Sequence, residues 1–208
     1  MQLKNYQKQK GLSLVEVLVS FAIFGIIAAA LMAIFTSTVN TQAVILQHQA
    51  IMNEANFAID YMGRAIRLAR VDDATGGNGA CTGTLNANYS DTVSNPNQIT
   101  FLSYDPMAGG GAGMYCCRRF QLVGEKIYEF KSSDTSASNF PTSGTEITSG
   151  QVKVSSLKFI AQNRNRTDYK QPMVTINIDI LPTGRQITPI PEIKVQTTLS
   201  QRNLNTIE

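Results

Sequence analysis

Lys10-Gly11-Leu12-Ser13-Leu14-Val15-Glu16 opens a stretch that stays apolar as far as Phe35. Between Leu12 and Phe35 only Ser13, Glu16 and Ser20 are more than weakly polar. About 20 apolar residues suffice to span the hydrocarbon core of a bilayer as a helix. Glu16 is the exception. A carboxylate in a spanning helix costs on the order of 3 kcal/mol on insertion scales, which marks it as a functional candidate. Lys4, Lys8 and Lys10 precede the run without an acid among them, and the next basic residue is Arg64. Such asymmetry places the N-terminus in the cytoplasm and the chain beyond about residue 36 outside.

Three readings meet on this segment. A cleaved secretory signal would have a basic start, a short apolar stretch and a small-residue cleavage site, which Ala28-Ala29-Ala30 offers. The apolar run nevertheless continues through Leu31 to Phe35, and Glu16 interrupts it. A plain signal anchor accommodates the run and leaves Glu16 without a role. The third reading is a resemblance. Gly11-Leu12-Ser13-Leu14-Val15-Glu16 resembles the type III signal of type IV pilins and type II secretion pseudopilins, in which a short basic leader ends in Gly and a Glu stands fifth in the mature chain. Glu16 is fifth counting from Leu12.

The resemblance covers about the first 60 residues, and beyond them the chain is similar to the larger minor pilins and J-type pseudopilins in layout alone. It implies cleavage between Gly11 and Leu12 by a membrane prepilin peptidase, followed by N-methylation of Leu12. It further implies that Glu16 pairs with the new N-terminal amine of a neighbouring subunit during assembly. The implied partners are the peptidase, other pilins or pseudopilins meeting this chain through its N-terminal helix, the inner-membrane assembly platform and the lipid bilayer. A single pass through the inner (cytoplasmic) membrane, with the head extracytoplasmic, would precede entry into a pilus or pseudopilus filament. K-type tip pseudopilins usually lack the Glu, so a J-type subunit or a minor pilin fits better, with a role in initiation or at the tip. A competence-type pseudopilin or surface adhesin that binds DNA or another ligand is the alternative.

Composition bounds the rest. The chain has 208 residues and a formal charge of +3, which fits one domain plus an anchor. Taking the leader's three lysines from the 18 basic residues leaves 15 against 15 acidic ones, so the mature chain is near neutral. Nucleic acid is therefore not expected as a partner, because its binding normally needs a basic stripe. Cys81, Cys116 and Cys117 are the only cysteines. An extracytoplasmic head favours a disulfide, with Cys81 joined to either member of the vicinal pair. One His and no paired C-x-x-C spacing argue against zinc. His48 falls among glutamines on the helix, so a nucleophile would have no placed base and no enzyme is expected. Calcium is the only cofactor for which there are candidate ligands, Asp72, Asp73 and Asp105. No loop shows the carboxylate spacing of a calcium loop.

The predicted fold class is α+β and pilin-like: a long N-terminal helix, membrane-spanning in its first half, packed on an antiparallel β-sheet. Residues 1–11 form the leader, 12–35 the transmembrane and filament-core helix, 36–71 its amphipathic second half, and 72–208 a β-rich head. In the second half Val39, Ala43, Leu46, Ala50, Phe57, Tyr61, Ala65 and Leu68 recur at helical spacing and read as the face lying on the core. Gly25, inside the apolar half, reads as a close-packing position. Residues 72–97 form a long loop holding Cys81, and the glycines of 108–113 a second loop without the lysine of a phosphate cradle. Strands are expected at 99–104, 115–123, 126–130, 152–160, 173–181 and 193–199. Gly124-Glu125 reads as a II′ hairpin turn, and Ser155-Ser156 as a bulge.

Overall fold

A computed structural model describes residues 11, 13–73, 78–106, 113–166, 170–183 and 191–202. The basic leader, Leu12 and most of the glycine loop lie outside them. Among the described residues one α-helix, α1 (Leu14–Arg67), precedes seven strands: β1 (Gln98–Asp105), β2 (Met114–Val123), β3 (Lys126–Lys131), β4 (Thr145–Glu146), β5 (Val152–Gln162), β6 (Met173–Pro182) and β7 (Ile193–Ser200). The fold is α+β and pilin-like. Two compact units divide it, Met1–Ile45 and Leu46–Glu208.

Every strand pairing is antiparallel. The single sheet expected from sequence resolves into two, ordered β1-β2-β3-β4 and β5-β6-β7. The reason lies in where β5 sends its outward N–H groups. Val154 N–H donates to Glu125 O at 2.8 Å, Phe159 N–H to Pro96 O at 2.7 Å and Ala161 N–H to Thr92 Oγ1 at 3.0 Å. Loop oxygens thus take the donors that a further strand would have used. The turn and the bulge follow local chemistry. Gly124 adopts φ +65° while Glu125 is not in the left-handed region, the pattern of a II′ turn. The β5–β6 register shifts between Val154 and Ser156.

On β6, Val174, Ile176, Ile178 and Ile180 are fully buried, while Thr175, Asn177 and Asp179 on the other face are half-buried. In the first sheet Ile99, Phe101, Phe120 and Ile127 form the inner face, with Phe101 tilted on Phe120 at 5.8 Å and Tyr89 edge-on to Phe101 at 6.4 Å. The helix face turned to this core is Ile51, Ala55, Ala58, Met62, Ala65 and Ile66, and Ala69 continues it just past the helix end. That corrects the stripe expected from sequence. Phe57 and Leu68 are 53% and 57% exposed, and the buried row follows one residue behind the expected one, a rotation of about 100°. Small residues explain the choice. Ala55, Ala58 and Gly63 let the backbone approach the sheet, and a Cβ on Gly63 would stand 3.1 Å from Leu199 Cδ1.

The helix ends at Arg67, short of the expected residue 71, because other groups claim its last carbonyls. Tyr89 Oη donates to Ile66 O at 3.0 Å, Arg202 N–H to Arg67 O at 3.0 Å, and the Gln201 amide to Ala69 O. Arg70 N–H turns to Leu102 O on the edge of β1 at 2.8 Å.

Candidate functional site: the start of the long helix

Ser13 precedes α1, and its carbonyl accepts from Glu16 N–H at 3.0 Å and Val17 N–H at 3.2 Å. Glu16 therefore stands in the first turn, where the aligned peptide dipoles favour negative charge. Ser13 and Glu16 also have the S-x-x-E spacing of a capping box, a signal in the sequence that the hydrophobic run obscures. Ser20 Oγ donates to Glu16 O at 2.7 Å. The Glu16 side chain is exposed, and among the described residues it has no ion-pair partner.

The helix beyond is what gives that carboxylate its setting. Fourteen large apolar side chains between Leu14 and Phe35 are exposed, among them Phe21 at 71% and Ile26 at 72%. No residue of the most apolar window is buried within the chain. Burying one such side chain is worth about 1.5–3 kcal/mol, so burying the run outweighs the roughly 3 kcal/mol that Glu16 costs. An apolar patch of this extent marks a membrane or protein contact. A Cβ added at Gly25 would meet nothing within 4 Å, and the helix runs through this residue unbroken.

Comparison with known families then decides what this helix start is. A family model described as the prokaryotic N-terminal methylation motif matches residues 6–32. The chain carries the hallmark of type IV pilins and pseudopilins. No curated protein and no solved structure matches it. In a pilin-like chain the motif implies processing by a prepilin peptidase and pilin assembly, and together with the apolar helix it points to membrane anchoring. Gly11 and Glu16 fall inside the matched span, as does Leu12, which lies outside the described residues.

The other sequence candidates sit elsewhere. Cys81 is bonded to Cys117, with Cα atoms 5.6 Å apart, and Cys116 is free and buried. Strand alternation makes the choice. Cys117 shares a face of β2 with Tyr115 and packs with Cys81, Leu102 and Phe140, whereas Cys116 points to the opposite face, where burial pushes its thiol pKa up. The three aspartates considered for calcium do not converge. Asp72 is fully buried and accepts from Gly79, Cys81 and Thr82 N–H and from Thr82 Oγ1. Asp73 pairs with Arg166 at 3.6 Å and Asp105 with Lys131 at 3.6 Å. Among the described residues no group of three or more metal-ligating side chains comes together. His48 is exposed on α1.

One buried polar cluster escaped sequence reading. Glu129 on β3 is 3% exposed, accepts from Arg118 Nε at 2.8 Å and from Tyr61 Oη at 2.6 Å, and is also bonded by Arg118 Nη2. Burial, then the neighbouring Glu129 carboxylate, holds the Tyr61 phenol above its usual range, so it remains the donor. The cluster ties the second half of α1 to the first sheet.

Proposed function

We propose that this pilin-like chain is a structural subunit, a minor pilin or J-type pseudopilin, of a type IV pilus or type II secretion filament. The observation that carries the reading is Glu16, fifth after Gly11, in the first turn of an apolar helix that buries none of its most apolar window within its own chain. Prepilin peptidase cleaves between Gly11 and Leu12, and Leu12 is methylated. The amine so formed and the Glu16 carboxylate of a neighbouring subunit then meet in an apolar medium. An unpaired charge there is costly, and a partner removes much of that cost. The N-terminus lies in the cytoplasm, the head outside, and a single pass holds the subunit in the inner membrane until the assembly platform draws it into the filament. The β-rich head acts in initiation or at the tip, by contact and not by catalysis.

Replacement of Glu16 tests this directly. Glu16→Ala leaves leader removal intact and lowers incorporation into sheared filaments by at least about tenfold, because loss of one member of a buried pair costs several kcal/mol. Incorporation at the native level would contradict the role given to this carboxylate.

A further inference from the structure

Among the described residues the two sheets have four outer edges; those of β1 and β5 are covered, and that of β4 is too short to template a strand. Along β1, Arg70 N–H donates to Leu102 O, Ser90 N–H to Thr100 O and Thr100 N–H to Ser90 Oγ. Loop oxygens cover β5, as described above, and β4 is two residues long. The fourth edge, β7, runs for eight residues, Ile-Lys-Val-Gln-Thr-Thr-Leu-Ser, without a proline. Its pairing with β6 is in register throughout. Among the described residues nothing bonds its outward N–H and C=O groups. Natural proteins usually blunt such an edge, since it is a template for another strand. The only charge on β7 is Lys194, which is already shared between Asp179 and Glu192.

At the Ser200 end of this edge lies a cleft of about 670 Å³, lined by Arg64, Arg67, Leu68, Gln171, Ser200 and Arg202. No acid lines it. Elsewhere in the head Arg118, Lys126 and Lys153 each have a carboxylate partner, but among the described residues Arg64, Arg67 and Arg202 have none. Favouring the helix C-terminus accounts for Arg64 and Arg67, not for Arg202, which follows β7. Arg64 Nε donates to Asp60 O at 3.4 Å, whereas the carbonyls of Ile66, Arg67 and Ala69 are taken by Tyr89, the Arg202 backbone and Gln201. Leu68, 57% exposed, adds an apolar wall.

We propose that β7 and this cleft together form a docking site for an extended peptide segment of a partner protein. The segment adds as a fourth strand to β5-β6-β7, and an Asp or Glu at one of its ends enters the arginine cleft. Strand addition of this kind takes affinity from main-chain hydrogen bonds and specificity from side-chain pockets, and guanidinium forks suit a carboxylate. Three arginines in one cleft on a near-neutral chain fit a single acidic side chain better than a nucleic-acid backbone, which calls for a longer basic track. The site is independent of the filament reading, because it uses only residues of the Leu46–Glu208 unit.

The test is selection of a displayed random heptapeptide library on the full-length protein in detergent micelles, followed by hydrogen exchange with a synthesised winner. Winners are expected to carry Asp or Glu at one end beside Val, Ile or Thr, and to slow exchange across β7. Changing the winner's acid to its amide should weaken it about tenfold or more, and so should Arg64→Gln with Arg202→Gln. Because the amide peptide needs no altered protein, this arm stands even if the double variant folds poorly. The proposal is overturned if no sequence enriches, if winners lack the acid or tolerate its amide, or if protection falls outside β7. Stronger binding of an oligothymidylate that competes with the winner would overturn it in favour of a nucleic-acid site.

Discussion

Glu129 and Glu16 both sit where a carboxylate is expensive, and each is answered differently. Glu129 is answered within the fold, by Arg118 and Tyr61. Removing it leaves Arg118, with its side chain 17% exposed, beside a buried gap. Glu129→Ala should therefore cost about 3 kcal/mol, whereas Tyr61→Phe removes one hydrogen bond to a charged group and should cost about 1.5 kcal/mol. Thermal unfolding of the full-length protein in micelles checks both, and equal losses would show that the pair is not what holds the site. Glu16, by contrast, has no answering cation among the described residues. Its position was legible because an acid in an apolar run contradicts its surroundings. The Glu129 cluster was not, because Tyr61, Arg118 and Glu129 are brought together only by the β2–β3 pairing and by the packing of α1.

At the scale of elements, period and turn chemistry were enough for β6, for the Gly124-Glu125 turn and for the bulge near Ser155. Those signals are local: alternation of Val174, Ile176, Ile178 and Ile180 needs no knowledge of what lies opposite. The buried face of α1 is different. Phe57 and Leu68 are more apolar than Ala58 and Ala69, so hydrophobicity alone turns the helix the wrong way. Close approach to the sheet selected the smaller residues, and nothing within the helix announces that distance. β4 was missed for a similar reason, since Thr145-Glu146 is a strand only by pairing with Tyr128 and Glu129. The helix-to-sheet distance makes its own prediction. Gly63→Val would press on Leu199 and should destabilise by about 1–3 kcal/mol, read as a fall in the unfolding midpoint. Gly63→Ala, whose contact is with a flexible side-chain end and whose helix propensity is higher, should stay near wild type. A Gly63→Val protein as stable as wild type would show the contact to be loose.

For the whole molecule, the head must hold together across long connections between its strands. The Cys81–Cys117 bond closes a separation of 36 residues, and a loop of that size is worth about 3–4 kcal/mol by the chain-entropy estimate. Replacing both cysteines with Ser should lower stability by about that amount, and the wild-type protein under reductant should match the variant; an unchanged midpoint would assign the loop's order to Asp72 instead. Sequence left the pairing open, because vicinal cysteines differ only in which face of β2 they occupy.

The reading of the molecule as a filament subunit finally depends on a chain end that must be made by cutting. Intact mass of the protein recovered from its native membranes tests that most directly. The account predicts a chain that lacks the first eleven residues, begins at Leu12 and is heavier by one methyl group than that cut alone would leave it. A mass that still includes Met1 to Gly11, or one that begins at Leu31, would contradict it.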